Sequence, residues 1–214
     1  MTPLETAFAN HDPSVRLNAA LKAGMSPSLA DVEILLRQCA VEPDFQVREI
    51  LTWALIRQPA GEVVPSVILE LSRPEPRARR QALHTLSKFK DVSAWPAVAR
   101  RLDDKDQDVV RTAWYAAVAL VPENQRNWLA KKLAASLGSG DEDIKRSLSR
   151  ALVGLGEEVI GPVLSAAAEH GDAAVCQHVE ATERLLRDPD SGFAASLKSA
   201  RREVMLGRTK STKG

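Results

Sequence analysis

Six times along this chain an acidic or amide residue is followed by two variable positions, a branched or small apolar residue, and then usually a base. Asp12-Pro-Ser-Val15-Arg16, Asp44-Phe-Gln-Val47-Arg48 and Glu75-Pro-Arg-Ala78-Arg79 come first. Gln107-Asp-Val-Val110-Arg111, Asp141-Glu-Asp-Ile144-Lys145 and Asp172-Ala-Ala-Val175-Cys176 complete the set. The last position recurs at spacings of 32, 31, 32, 34 and 31 residues. A steady period of this size means stacked supersecondary units, each burying its apolar face against the next. That constraint precedes any estimate of domain number from length, because a stacked array grows by adding units rather than by enlarging one core.

Each motif reads as a helix start. Asp12, Asp44, Asp141 and Asp172 can accept hydrogen bonds from the first free amides of the helix that follows. Pro13 then fits the first helical position, where its missing N–H costs nothing. Glu75 and Gln107 cap less well, and Asp106 or Asp108 can serve the fourth unit instead. Three residues past the base stand Ala19, Leu51, Ala82, Trp114, Leu148 and Val179. Seven past it stand Ala23, Leu55, Leu86, Val118 and Leu152, with Glu183 as the exception. With the apolar residue before the base, these positions make the i, i+4, i+8 stripe of an amphipathic helix, designated B. Pro65, Pro96 and Pro162 fall 14, 15 and 14 residues before the basic position and are expected to open a second helix, A, in each unit. Gly or polar stretches, at 24–27, 59–61, 138–140 and 154–156, are expected to break the chain between helices.

Composition agrees with close helix packing: Ala and Leu abound, while aromatic residues make up 4% of the chain. A net charge of +1 supplies no global reason to expect nucleic acid or an anionic membrane as partner. Cys39 and Cys176 lack CxxC spacing, so neither a disulfide framework nor a zinc site is expected. The start of the chain has no basic n-region or long apolar core, so no signal peptide is expected. No apolar run approaches the roughly 20 residues that span a bilayer. A cytoplasmic protein without membrane contact is the expectation.

The Asp-x-x-Val-Arg turns, with Ala82 and Leu86 or Trp114 and Val118 after them, resemble the HEAT-like repeat family in its short prokaryotic form. The resemblance covers roughly residues 4–206. It implies an all-α fold, a right-handed, armadillo-like α-solenoid of about six helix pairs. Residues 1–206 are expected to form one domain closed by a C-terminal capping helix, and 207–214 a basic, disordered tail. In such repeats the motif base lies between units and bonds to acids or carbonyls of the neighbouring turn. The resemblance therefore implies a structural ladder of Arg16, Arg48, Arg79, Arg111 and Lys145 rather than a row of ligand contacts.

The same resemblance places the concave face on the B helices. Binding residues are then expected at the non-core positions there: Trp53, Arg80, His84, Tyr115, Arg146 and Arg150. Trp53 either anchors a partner or covers Leu21 or Ile50 of its own array; Trp95, Trp114 and Trp128 read as packing. The HExxH, P-loop, GxSxG and Rossmann fingerprints are absent, and His84 lacks an evident carboxylate to orient it as a base. The reading is a non-catalytic scaffold without cofactor or metal, whose groove holds a protein or peptide, an acidic one by the bases at Arg80, Arg146 and Arg150. Nucleic-acid binding is the alternative, through likeness in fold to alkylpurine DNA glycosylases, although the groove columns contain no Asp. A bilin-lyase-like role rests on the repeat alone.

Overall fold

A computed structural model describes residues 1–188. The expected capping helix (191–206) and tail (207–214) lie outside the described residues. Within them the fold is an all-α solenoid with no strand. In the first pair, α1 (Pro3–Phe8) precedes α2 (Pro13–Met25). Then come α3 (Val32–Val41) with α4 (Phe45–Ile56), α5 (Ala60–Glu70) with α6 (Pro76–Phe89), and α7 (Trp95–Ala99) with α8 (Gln107–Leu120). The last pairs are α9 (Arg126–Ala134) with α10 (Glu142–Gly154), and α11 (Glu157–His170) with α12 (Ala173–Arg187). Residues 1–125 form one compact unit and the chain from residue 126 a second. In the first unit B packs on B, through α2, α4, α6 and α8, and A on A, through α1, α3 and α5. In the second, α9 packs on α11 and α10 on α12.

The B helices start on their caps. The Asp12 carboxylate accepts from the Ser14 amide, and those of Asp44, Asp106, Asp141 and Asp172 accept from the amide three residues on. Each such bond satisfies a donor that the first turn leaves without a helical partner. Glu75 makes no side-chain cap, and Pro76 in the first turn of α6 removes one of those donors instead.

The cap of α8 corrects the sequence register. Asp106, not Gln107, starts that helix. Counted from the caps, the base is the fourth residue of α2, α4, α6 and α10, but Val110 holds that place in α8 and Arg111 comes one later. One residue is about 100° around a helix, so every position inferred for α8 turns with it. The seventh positions become Ala19, Leu51, Ala82, Ala113, Leu148 and Val179, all buried. The eleventh become Ala23, Leu55, Leu86, Ala117 and Leu152, again all buried, while Val118 is half-exposed.

Two of the three expected A-helix starts are also corrected. Pro96 lies in the first turn of α7, but Pro65 and Pro162 sit inside α5 and α11, five residues past their first residues. A proline there removes an amide donor and crowds the carbonyl of the previous turn. Gly61 and Glu158, which own those carbonyls, are exposed, and a side chain at Gly61 would meet open space. Water can therefore take the released carbonyls. The chain breaks at the expected stretches, through residues 26–28 and 57–59, with Gly24 the last residue but one of α2 and Gly61 the second of α5.

The motif arginines form a repeated clamp in part of the array. Arg16 Nη1 donates to the carbonyls of Asn10 and His11, Arg48 Nη1 to those of Glu42 and Pro43, and Arg79 Nη1 to those of Arg73 and Pro74. The turn entering each B helix is thus tied to its own fourth residue. Arg16 also forks onto buried Glu42 at 2.8 and 2.7 Å, and Arg79 onto the enclosed side chain of Asp104 at 2.9 and 2.8 Å. Those acids in turn accept from the amides of Asp44 and Asp106, which cap the next B helices. One arginine therefore connects two successive helix starts. The acid position before α6 holds Arg73, so Arg48 lacks this fork; its guanidinium lies 5.8 Å from the Phe45 ring centre instead. Out of register, Arg111 lies 3.5 Å from Asp108 of its own helix; Lys145, in register, lies 3.4 Å from Glu142 of its own.

Burial pushes the carboxyls of Glu42 and Asp104 up, and the guanidinium and amide bonds more than offset it, leaving both below their ordinary values. Charged acids are thus favoured by the folded state. Their contribution is present above the ordinary carboxylate range and is lost as pH falls through it.

Removing one partner of a buried pair strands the other charge, whereas an exposed pair contributes little. Arg79→Ala should therefore cost about 3–5 kcal/mol in urea unfolding, and Arg111→Ala less than about 1 kcal/mol. Equal losses would mean the clamp is not what separates them. A second expectation concerns α2 and α4. Gly24 faces the Trp53 ring so closely that a Cβ would land on it. Gly24→Ala should therefore destabilise by about 1–3 kcal/mol through overpacking, although Ala gains about 1 kcal/mol in helix propensity. A raised Tm for that variant would show that the ring yields freely.

Candidate functional site

With the register set by the caps, the fifth and ninth residues of each B helix form two rows outside the core. In the first unit the fifth residues are Leu17, Glu49, Arg80 and Arg111, and the ninth are Leu21, Trp53, His84 and Tyr115. Four residues apart, the two rows share one face of each helix. The clamps hold that face in place, since they bond the start of α2 to that of α4 and the start of α6 to that of α8.

Tyr115 is the most open residue of the first unit's ninth-position row, 59% exposed, with the fully buried Ala116 beside it. In the register set by Asp106, Tyr115 falls in the ninth-position row and Ala116 in the core. Trp53 is half-buried, and its ring lies over the Gly24 backbone. Trp53 therefore packs on α2, the helix that also carries Leu21, with one part of the ring left open. A glycine inside an otherwise regular helix was the available signal, since it marks a close approach of another group.

His84 lies with Nε2 3.1 Å from the Glu49 carboxylate, although the pair is not aligned as a hydrogen bond. The carboxylate not evident beside His84 in the sequence is thus supplied by the fifth position of the preceding B helix. Burial pushes the imidazole below its ordinary value; Glu49 opposes that, and Lys88 and Arg48 add to it. His84 is therefore neutral near pH 7.

Arg80 and Arg111 converge on one carboxylate. Asp108, in the first turn of α8, stands 3.3 Å from Arg80 Nη1 and 3.5 Å from Arg111 Nη1. All three side chains are well solvated, so the carboxylate holds neither base firmly. Two positive charges against one negative leave this part of the face basic. The sequence reading found no Asp in the groove columns; Asp108 sits beside them because α8 starts one residue earlier.

In the second unit the fifth residues are Arg146 and Gln177 and the ninth are Arg150 and Ala181. Arg146 is exposed and 3.4 Å from Asp143 of its own helix, and Arg150 is exposed. Ser149, beside Arg150, is buried. A cleft of about 730 Å³ in this unit is lined by Lys145, Arg146, Gln177, His178, Ala181 and Arg184, among others. Trp95 and Trp114 are buried, and Trp95 Nε1 donates to Gln125 at 2.7 Å. Trp128 departs from the packing expectation: it is 49% exposed. Among the described residues no helix is long and apolar enough to cross a membrane.

Comparison with known proteins bears on the architecture. Residues 36–119, from within α3 to within α8, match the family model for HEAT repeats. No curated protein matches the chain. Among solved structures, one engineered protein from a structural genomics consortium is 15% identical, with a TM-score of 0.46, over 87% of this chain and 99% of its own. A designed armadillo repeat protein is 14% identical, with a TM-score of 0.43, over 86% of this chain and 98% of its own. A further one, solved in complex with the peptide (KR)4, is 12% identical, with a TM-score of 0.45 and the same coverage. The match lies within a series of A/B helix pairs that runs from α1 to α12, and over residues 36–119 the chain carries HEAT-like repeats.

Proposed function

We propose that this protein is a non-catalytic scaffold that binds an acidic protein or peptide segment on the solvent-facing side of α4, α6 and α8, the face expected to form the groove. The observation that carries this reading is the pairing of two rows at fixed cap-relative positions on adjoining helices. Tyr115, His84 and the open part of Trp53 form one row, and Arg80 and Arg111 lie on the other. Tyr, Trp and Arg are the side chains that most often dominate protein interfaces, since they combine large contact area with polar reach. Their backbone is already ordered by the clamps, so binding need not pay again for arranging it. The incomplete neutralisation of Arg80 and Arg111 by Asp108 favours a partner that brings carboxylates of its own. Arg146 and Arg150, in the second unit, are proposed to serve the same class of partner.

The test begins with affinity capture from the native host, followed by Kd measurements on the captured partner. Tyr115→Ala should weaken binding about 30-fold or more, as loss of a hot-spot aromatic does. The double variant Arg80→Ala, Arg111→Ala should slow association and flatten its salt dependence. Partner affinity untouched by all three substitutions would overturn the assignment of this face. A captured nucleic acid, with log affinity falling linearly with log salt, would transfer the same face to phosphate binding.

A further inference from the structure

The two units contain a matching buried hydrogen-bonded seam, in which Gln81 of the first stands where the second has the titratable His178. In the first unit it joins α4 to α6. Gln81, sixth in α6, donates to the Thr52 hydroxyl at 2.8 Å and towards the Arg48 carbonyl at 3.5 Å. Thr85, tenth in α6, donates to the Gln81 carbonyl at 2.9 Å and stands 3.4 Å from Thr52 Oγ1. In the second unit the seam joins α10 to α12. His178, sixth in α12, lies with Nε2 2.9 Å from the Lys145 carbonyl and 3.1 Å from Ser149 Oγ. Thr182, tenth in α12, donates to the His178 carbonyl at 2.9 Å and stands 2.8 Å from Ser149 Oγ. Arg48 and Lys145 are both fourth residues, and Thr52 and Ser149 both eighth. Position for position, the seams coincide.

Proton accounting separates them. The Gly138 amide donates to His178 Nδ1 at 3.0 Å, so Nδ1 carries no hydrogen and Nε2 carries one. Nε2–H then serves both the Lys145 carbonyl and Ser149 Oγ. Since the Thr182 hydroxyl is spent on the His178 carbonyl, the Ser149 hydroxyl points to Thr182. Every group is satisfied, and each direction is fixed by the next. A second proton on the ring would put Nδ1–H against the Gly138 N–H, replacing a hydrogen bond with two opposed donors. Gln81 has no such alternative state, because its amide does not titrate.

We propose that the seam between α10 and α12 is an acid-released latch with His178 as its proton sensor, and that Gln81 makes the matching α4–α6 seam indifferent to the same change. His178 is 3% exposed, so the charged ring would also have to form out of water. Burial pushes its imidazole below the ordinary value, with the Lys145 carbonyl opposing that shift. Of the charged groups, Lys145 repels the imidazolium and Glu142 attracts it, both from α10; none on α11 acts on the ring. Arg146 on α10 and Glu180 and Arg184 on α12 line the same cleft. The folded state favours the neutral ring. Its stability is therefore complete above the ordinary histidine value of 6.5 and is lost as pH falls below it. Opening would separate the two helices that line the cleft on either side of His178.

Amide hydrogen exchange of the full chain at about pH 8 and about pH 5, corrected for intrinsic rates, tests the latch in the histidine range. Protection in α10 and α12 should fall about tenfold or more on acidification, with α4 and α6 changing much less. His178→Gln should abolish that difference in the second unit. His84 also titrates in the first unit, so His84→Gln provides the background for the converse variant, Gln81→His. That substitution should install acid sensitivity in the α4–α6 seam, and it decides the matter if His178→Gln does not fold. A wild-type second unit indifferent to pH, or an acid response that persists in His178→Gln, would overturn the proposal. So would a folded Gln81→His variant whose first unit stays indifferent to pH.

Discussion

Everything downstream in a B helix is measured from the hydrogen bond that starts it. An aspartate carboxylate takes a first-turn amide in α2, α4, α8, α10 and α12, and the core, clamp and outward positions follow at fixed angles. The arginine clamp extends that local bond into tertiary structure. Arg16 and Arg79 tie the turn before their own helix to the acid that orders the next cap, so one helix start constrains another about 30 residues away. A desolvated guanidinium–carboxylate fork contributes little net stability against an apolar substitute, but it is intolerant of misalignment. Its main consequence is register. The outward rows keep their places because the caps beneath them do.

The clamp is not uniform, and its gaps have simple causes. Arg73 replaces the acid before α6, so Arg48 keeps its carbonyl bonds without a fork. An early cap at Asp106 rotates Arg111 out of the joint and onto the solvent-facing side, where it shares Asp108 with Arg80. The same rotation exposes Tyr115 and buries Ala116. One residue of slippage in a motif thus exchanges a structural base for a surface one. Where the clamp weakens in the second unit, the hydroxyl–histidine seam holds α10 to α12.

The repeat, the helix pairs, the cap aspartates and most of the core were legible in the sequence, since each rests on local chemistry at short spacing. Asp12, Asp44, Asp141 and Asp172 act where their residue type says they should. Pro65 and Pro162 misled, because proline marks a first turn only when nothing else releases the carbonyl behind it; here exposed Gly61 and Glu158 do so. Gly24 does stand beside the expected break, but its second role, making room for Trp53, shows only when the second helix is placed. Of the expected surface residues, Arg80, Tyr115, Arg146 and Arg150 are exposed, while Trp53 and His84 are half-buried. The His84–Glu49 approach needed two helices to be brought together, 35 residues apart in the chain.

By itself the sequence determined the period, the helical class and the starts of the B helices other than α8, because capping and hydrophobic spacing are set within a turn or two of chain. Tertiary structure decided which bases are buried in joints and which face outward, since that depends on a one-residue phase that Asp106 and Asp108 left open. It also decided the pairing of Arg16 with Glu42 and of Arg79 with Asp104, and the seating of His178 between Gly138, Lys145 and Ser149. Those contacts join residues 25 to 40 positions apart, and no local pattern specifies which distant carboxylate, carbonyl or amide a side chain will meet.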